Sequence, residues 1–434
     1  MSSLSQSSSF MLHEGLLCTV LMICLLSIVQ GEGILGSRSD FKKPDDAVFN
    51  VMDSGAPGNG RKDDTQAFLD AWRQMCEATA DSPTMVIPEG VTFLLYRISF
   101  ESPCKSANPH VQVSGKILAP TKRSWVGPID YWIQFSQVNG LVITGSNLSV
   151  IDGQGSDWWE HGDCFLDNAN LMSLLFYHFQ DACDRPTALK MSGCDGVEIR
   201  GLKHVNSQRN HISLTDCRNV TVSGITIKAP KDSPNTDGID ISHSTNIRIE
   251  HSNIGTGDDC VAINGGCSDI NITNVACGPG HGISIGSLGA NGVTEEVERV
   301  RVQNCNFTDT LNGARIKTWQ GGSGCAKDIL FEQIELERVH HPIVIDQYYC
   351  NGGHHCTEYP SAVKISDVMF NGIRGSSTNI IVISLNCSKT VACTNIIMDQ
   401  IDIETIKSEA TASSYCMNVL GEETDTSPHV PCLQ

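Results

Sequence analysis

The 434-residue chain is short of charge and of aromatic rings: 18% of its residues are Asp, Glu, Lys or Arg and 6% are Phe, Trp or Tyr. Positive charge is the scarcer sign, with 30 Lys and Arg against 49 Asp and Glu and a formal net charge of −19. Such a chain is a poor general binder of nucleic acid or anionic membranes, and an anionic ligand would need a locally basic groove. Beyond residue 31 no apolar run approaches the roughly 20 residues that a spanning helix needs. There is no Gly-x-Ser-x-Gly elbow and no glycine-rich phosphate loop of the Walker type, which sets aside the two chemistries those motifs carry. Tight Asn-Gly hairpins do not dominate either, against the hairpin turns every 8–12 residues or so of a β-sandwich. No long disordered tract interrupts the chain. Length alone suggests two or three domains, but a repeat array can run longer as one body.

What is present begins with an apolar run, Leu16–Val29, near the start of the chain. It is short for a membrane span and is followed by a plausible cleavage point at Val29-Gln30-Gly31, so residues 1–31 read as a secretory signal, although no Lys or Arg precedes the run. Of 19 cysteines, Cys18 and Cys24 lie in that leader, and the rest are dense enough to fit an oxidising compartment. Cys76/Cys104, Cys260/Cys277, Cys350/Cys356, Cys387/Cys393 and Cys416/Cys432 are the expected pairs, and the odd total leaves at least one thiol over. Glycosylation sequons start at Asn147, Asn219, Asn271, Asn306 and Asn386.

From Met85 onward, short apolar strands are broken by Gly, Asn and Asp. Their starts align at Leu141, Val197, Val220, Ile247, Ile270, Val300, Ile329, Val363 and Ile396, with gaps from Val197 onward that vary only modestly. Turns of varied length on a constant strand rhythm indicate an all-β parallel solenoid. The first gap, from Leu141 to Val197, is about twice as long and accommodates two coils plus an insertion around Phe165–Ala182. A raw solenoid end needs cover. Asp63-Asp64-Thr65 supplies N-cap oxygens for an amphipathic helix with Ala67, Phe68, Ala71, Trp72 and Met75 on one face, making residues 48–80 an N-terminal cap. The polar tail 408–434 reads as a loop-rich C-terminal cap, and 32–434 as one β-helix catalytic domain.

Asp237, Asp259 and His281 recur at equal spacing, the step from 237 to 259 matching the step from 259 to 281. Each stands just before an alternating strand (Ile239/Ile241, Val261/Ile263, Ile283/Ile285). On a solenoid they stack on adjacent coils, about 4.8 Å apart per step. Asp258 shares the turn of Asp259. The next comparable position is Gly313, after which Arg315 and Lys317 share one face of a strand. Each residue has a bland reading, as an Asx-turn, a turn ladder or a loop histidine; their shared register favours function, because clustered ionisable groups cost repulsion and desolvation. Paired carboxylates serve glycosidic cleavage, one giving a proton and one activating water. Mutual repulsion raises the pKa of at least one of them, and Arg315 and Lys317 supply the basic patch that a uronic-acid polymer requires. Cys350 with His354, His355 and Cys356 has metal-like ligands but reads better as a disulfide loop. His340-His341 reads as turn decoration and Trp158-Trp159 as packing under a loop.

Ser233-Pro234-Asn235-Thr236-Asp237-Gly238, Gly255-Thr256-Gly257-Asp258-Asp259-Cys260, Cys277-Gly278-Pro279-Gly280-His281-Gly282 and Arg315-Ile316-Lys317 together closely resemble the polygalacturonases, pectin-degrading glycoside hydrolases, in their plant-type wording. Asp152-Gly153-Gln154-Gly155 and Asp63-Asp64-Thr65 extend the resemblance over essentially all the chain after the leader. It implies a right-handed parallel β-helix that hydrolyses α-1,4-galacturonosyl bonds of de-esterified pectin with inversion and without metal or other cofactor. It further implies Asp258 as general acid, Asp237 and Asp259 as activators of water, and His281 tuning the acid. Arg315, Lys317 and Tyr349 would be substrate ligands, with Tyr348 competing for the last place. A secreted, monomeric cell-wall enzyme acting on polygalacturonate is expected. Three alternatives stand beside it: a rhamnogalacturonan hydrolase, a calcium-dependent pectate lyase, and a silent pectin-binding protein that keeps the fold.

Overall fold

Apolar residues at alternate positions, mostly Ile and Val, build strands that bury one face and show the other to solvent. Because the chain repeats this with short turns, strand after strand pairs in parallel with the one a coil before it. The computed structural model describes residues 47–159, 184–351 and 357–434. The strands wind as a right-handed parallel β-helix, the hand that parallel crossovers favour.

One face is an eleven-stranded sheet: β1 (Ile98–Glu101), β2 (Tyr131–Ser136), β3 (Thr187–Ser192), β4 (Ile212–Thr215), β5 (Ile239–Ser242), β6 (Val261–Ile263), β7 (Ile283–Leu288), β8 (Asn312–Trp319), β9 (His341–Tyr349), β10 (Ile381–Asn386) and β11 (Ser413–Met417). Nineteen further strands form the other sheet. The interior is a set of stacked columns. Ile241, Ile263, Ile285, Ile316, Ile345 and Leu385 are in register and fully buried. Opposite them run Ile249, Ile272, Val302, Phe331, Phe370 and Met398. Each such side chain contributes about 1.5–3 kcal/mol by leaving water, so removing one coil's pair disrupts its neighbours above and below.

Two register assignments change. Leu141 and Val197 belong to successive coils, since Val142 pairs with Glu198 and Tyr131 with Thr187. The long gap between them is therefore one coil with an insertion rather than two coils. Periodicity could not show this, because an insertion and an extra coil lengthen a gap alike. The expected insertion at Phe165–Ala182 lies outside the described residues. Likewise Ile329 pairs with Val368, not Val363; residues after Tyr349 lengthen that turn and displace the strand start.

The N-terminal helix α1 (Thr65–Glu77) buries Ala67, Phe68, Ala71, Trp72 and Met75. Trp72 packs against Phe100 and Phe135, with ring centroids 5.1 and 5.6 Å away. Its start differs from the expected cap. Asp63 accepts the Thr65 N–H at 2.9 Å, but buried Asp64 makes no helix-capping bond. Its carboxylate accepts the N–H groups of Gly58 and Leu94, each at 2.8 Å, and so ties the turn before α1 to the strand Thr92–Leu94. Asp64→Ala strands both donors, and hydrogen bonds to charged groups are worth about 1.5–3 kcal/mol each. A fall of about 3 kcal/mol in unfolding free energy is expected on that basis; an unchanged denaturation midpoint would show that these bonds carry no stability.

At the other end, the polar tail forms strands rather than loops: β11 and Val419–Ser427 continue the two sheets. Cys416–Cys432 fastens this last coil, and Cys76–Cys104, Cys260–Cys277 and Cys387–Cys393 also form. Cys350 is disulfide-bonded, while its expected partner Cys356, with His354 and His355, lies outside the described residues. Cys194, Cys217, Cys267 and Cys305 remain buried thiols, acting as small apolar fillers. A ladder of left-handed residues at the strand corners engages Asn219, one of the sequons, between Asp195 and Asn246.

Candidate active site

The site lies on the outer face of the eleven-stranded sheet, around the turns that enter β5, β6 and β7. Ile239 pairs with Val261 and Val261 with Ile283. Asp237, Asp259 and His281, each two positions earlier, therefore fall into one file. The next member of that file is Asn312 rather than Gly313, because Ile283 pairs with Ala314; the turn before β8 is longer than the two below it. Asn312 uses its side-chain N–H to donate to the His281 carbonyl at 3.2 Å.

The turns are locked from several sides. Cys260–Cys277 joins the turn that carries Asp258 and Asp259 to the one that carries His281. Thr236 Oγ1 accepts the Gly257 N–H at 3.0 Å and meets Ser233 Oγ at 2.6 Å. Two glycines are sterically required. A Cβ on Gly257 would lie 2.0 Å from the Ser233 carbonyl oxygen, and Gly282 combines φ +87° with a carbonyl 2.3 Å from such an atom. Below them, buried His211 donates from Nδ1 to the Asp237 carbonyl at 3.0 Å and accepts the Ser207 N–H at Nε2 at 3.3 Å. Burial pushes its pKa down to about 4, which keeps the ring neutral and both bonds intact.

The carboxylates differ in environment. Asp259 is almost wholly buried and receives Lys317 Nζ on Oδ2 and Ser284 Oγ on Oδ1, both at 2.7 Å, with Arg315 3.8 Å away. Burial opposes the charge on Lys317, but Asp259 outweighs it and holds the ammonium above its usual pKa. Asp258 remains partly open and accepts His281 Nδ1–H at 2.9 Å. Burial pushes its carboxyl up; the bond and charge of His281, then Lys317, outweigh that and bring it below the ordinary value. Asp237 is pushed well above that value by burial first, then by Asp258, Asp240 and Asp259. The repulsion expected among these groups thus settles its proton on Asp237, not on Asp258.

Arg315, Lys317 and Tyr349 converge. The Arg315 guanidinium and Lys317 ammonium lie 5.5 and 5.4 Å from the Tyr349 ring centre, whose edge meets Trp319. Tyr348 instead turns away, its hydroxyl accepting the Lys389 N–H, so Tyr349 is the tyrosine brought to the cations. His341 starts β9 rather than decorating a turn. Trp158 packs under Trp125 as expected.

Residue-type patterning missed Asp240, Ser284 and His211. Asp240 and Ser284 stand between inward isoleucines and could have been placed outward by alternation; nothing local marks His211. Asp240 is held up to about 7, by burial and by Asp259 and Asp258 against the pull of Arg209. Asp258, Asp259 and His281 also bring ligand atoms within 4.8 Å of one another. Lys317, Ser284 and the His281 N–H already occupy those oxygens, so the trio is poorly suited to a cation.

A row of carboxylates with opposed proton affinities beside buried cations, on a parallel β-helix, is an arrangement suited to cleaving a glycosidic bond, and the chain is a glycoside hydrolase. The sequence places it further: residues 76–426 match the model of glycosyl hydrolases family 28, and the chain belongs to that family. It is 45% identical over 392 residues to a probable polygalacturonase of Arabidopsis thaliana, covering 89% of this chain and 81% of that one. A polygalacturonase of Cryptomeria japonica is 42% identical over 363 residues, covering 82% and 67%. Among solved structures, an endo-xylogalacturonan hydrolase from Aspergillus tubingensis superposes with a TM-score of 0.71 at 23% identity, covering 88% of this chain and 97% of that one; it speaks for the fold.

Proposed function

We propose that this protein is a secreted polygalacturonase of the plant cell wall that hydrolyses α-1,4-galacturonosyl bonds of de-esterified pectin with inversion, using Asp237, Asp258, Asp259 and His281. The observation that carries the reading is the buried Lys317–Asp259–Arg315 group beside two carboxylates of unequal proton affinity, in a relative of named polygalacturonases. The disulfides support an oxidising destination.

In the mechanism, Asp258 gives its proton to the departing glycosidic oxygen. Asp259, fixed by Lys317 and Ser284, and Asp237 take the proton of a water that attacks the sugar from the opposite face. In the free enzyme the His281 bond favours the charged form of Asp258. A bound sugar that excludes water weakens that charged form, so that Asp258 takes up the proton it gives. Arg315 and Tyr349 face the substrate carboxylate. A second reading follows from one observation: the carboxyl most protonated before substrate binds is Asp237, which exchanges the two roles.

The test is incubation with polygalacturonate. New reducing ends with no ultraviolet-absorbing unsaturated product are expected. An unsaturated product would mean a lyase, and binding without cleavage would mean a wall-binding protein. Faster cleavage of alternating rhamnose-galacturonate chains would move the substrate to rhamnogalacturonan.

A further inference from the structure

Arg315 and Lys317 are the cations on which substrate binding was expected to rest, yet Asp259 already balances much of their charge. A polyanion lying on a protein of net charge −19 needs positive charge elsewhere along its path. The outward file that contains Arg315 shows where it is. Down the sheet, Arg315 pairs with Ser284, Ser284 with Ala262, Ala262 with Asp240, Asp240 with Ser213 and Ser213 with Lys190. Lys190 stands between inward Leu189 and Met191 and so points to the same outer face as the acids. Arg209, exposed in the turn before β4, is close enough to Asp240 to act on its charge.

Neither Lys190 nor Arg209 forms an ion pair or side-chain hydrogen bond among the described residues. Several arginines elsewhere on the solenoid are matched: Arg299 with Asp269, Arg301 with Asp328, Arg338 with Asp309. Lys190 and Arg209, without such partners, share the face of the active site and lie on the side of the acids away from Arg315.

We propose that Lys190 and Arg209 form a second carboxylate-binding step, which takes an acidic sugar of the same chain several units from the bond being cleaved. The proposal rests on the galacturonan reading above. Five strand intervals of about 4.8 Å separate Lys190 from Arg315, roughly 24 Å, so the two cationic steps bracket the catalytic acids and hold a chain across them. Asp240, between the steps, is neutral below about pH 7; it then neither repels the uronate nor cancels Arg209.

The experiment measures kcat/KM on galacturonate oligomers of increasing length for the wild type, Lys190→Gln, Arg209→Gln and the double variant. Thermal unfolding serves as the control for folding. The expected result is that the double variant loses about tenfold more on long oligomers than on the shortest one cleaved, through KM rather than kcat. Its products from an end-labelled oligomer should also shift. Methyl-esterifying the long oligomer only at units remote from the cleaved bond should remove most of the difference between wild type and variant. Equal losses at every length, or none, overturn the proposal. Failure of the galacturonan reading shows separately, because the wild type would then cleave no oligomer of the series.

Discussion

Asp258→Asn is expected to lower turnover of polygalacturonate by about 10²–10⁴-fold, the range for a lost general acid, while the protein stays folded. The substitution keeps an acceptor for the His281 N–H, so the turn that carries it stays in place. The same experiment decides between the two acid assignments if a substrate is used whose leaving group needs no proton, such as α-galacturonosyl fluoride. If Asp258 is the acid, Asp258→Asn recovers most activity on the fluoride, and Asp237→Asn, which has lost water activation, does not. The opposite pattern would make Asp237 the donor, as its raised pKa in the free enzyme suggests. Near wild-type turnover of the polymer by Asp258→Asn would end its acid role altogether. His281→Ala should move the acid as well: without its bond and charge, the burial that already pushes Asp258 up is opposed chiefly by Lys317 and the Asp259 backbone N–H. The pH at which activity falls on the alkaline side then rises while the maximum rate drops.

The even spacing of Asp237, Asp259 and His281 was legible because each coil there is built alike: an acidic or polar turn, a glycine or cysteine, then two inward branched side chains. Where coils differ, spacing misleads. A long insertion made one coil look like two between Leu141 and Val197, and the lengthened turn after Tyr349 hid the partner of Ile329 at Val368. The acids themselves were found because they stand at turns beside glycines. Asp240 and Ser284 were not, since they sit inside strands where alternation allows any polar residue. Asp64 shows a further limit. A helix-start pattern says that a carboxylate caps its own helix, but only the fold shows that its oxygens are used by Gly58 and by Leu94, a strand away. The same limit applies to Lys317, whose partner Asp259 lies two coils back along the chain. Read alone, it is a free cation for substrate; folded, it is one half of a buried pair.

That pairing makes Lys317→Met the most consequential change to stability. The methionine fills similar space but leaves Asp259 buried with Ser284 and a distant Arg315. Removing one partner of a buried pair typically costs about 3–5 kcal/mol, because the remaining charge loses its compensation. The sign of the pH dependence follows from the raised pKa of Lys317. Its contribution is fully present below the ordinary lysine value and fades only as pH rises through the higher folded-state value, so wild type and Lys317→Met should differ throughout the neutral range and converge at strongly alkaline pH. Adding Asp259→Asn to Lys317→Met removes the stranded charge, and the double variant should unfold at a higher temperature than Lys317→Met alone. Both variants should be inactive, since the first lacks the cation that fixes Asp259 and the second lacks the carboxylate as well, and this separates stability from catalysis. Should Lys317→Met unfold at the wild-type midpoint, Asp259 must find its compensation elsewhere; Arg315 would then be the cation that carries the site.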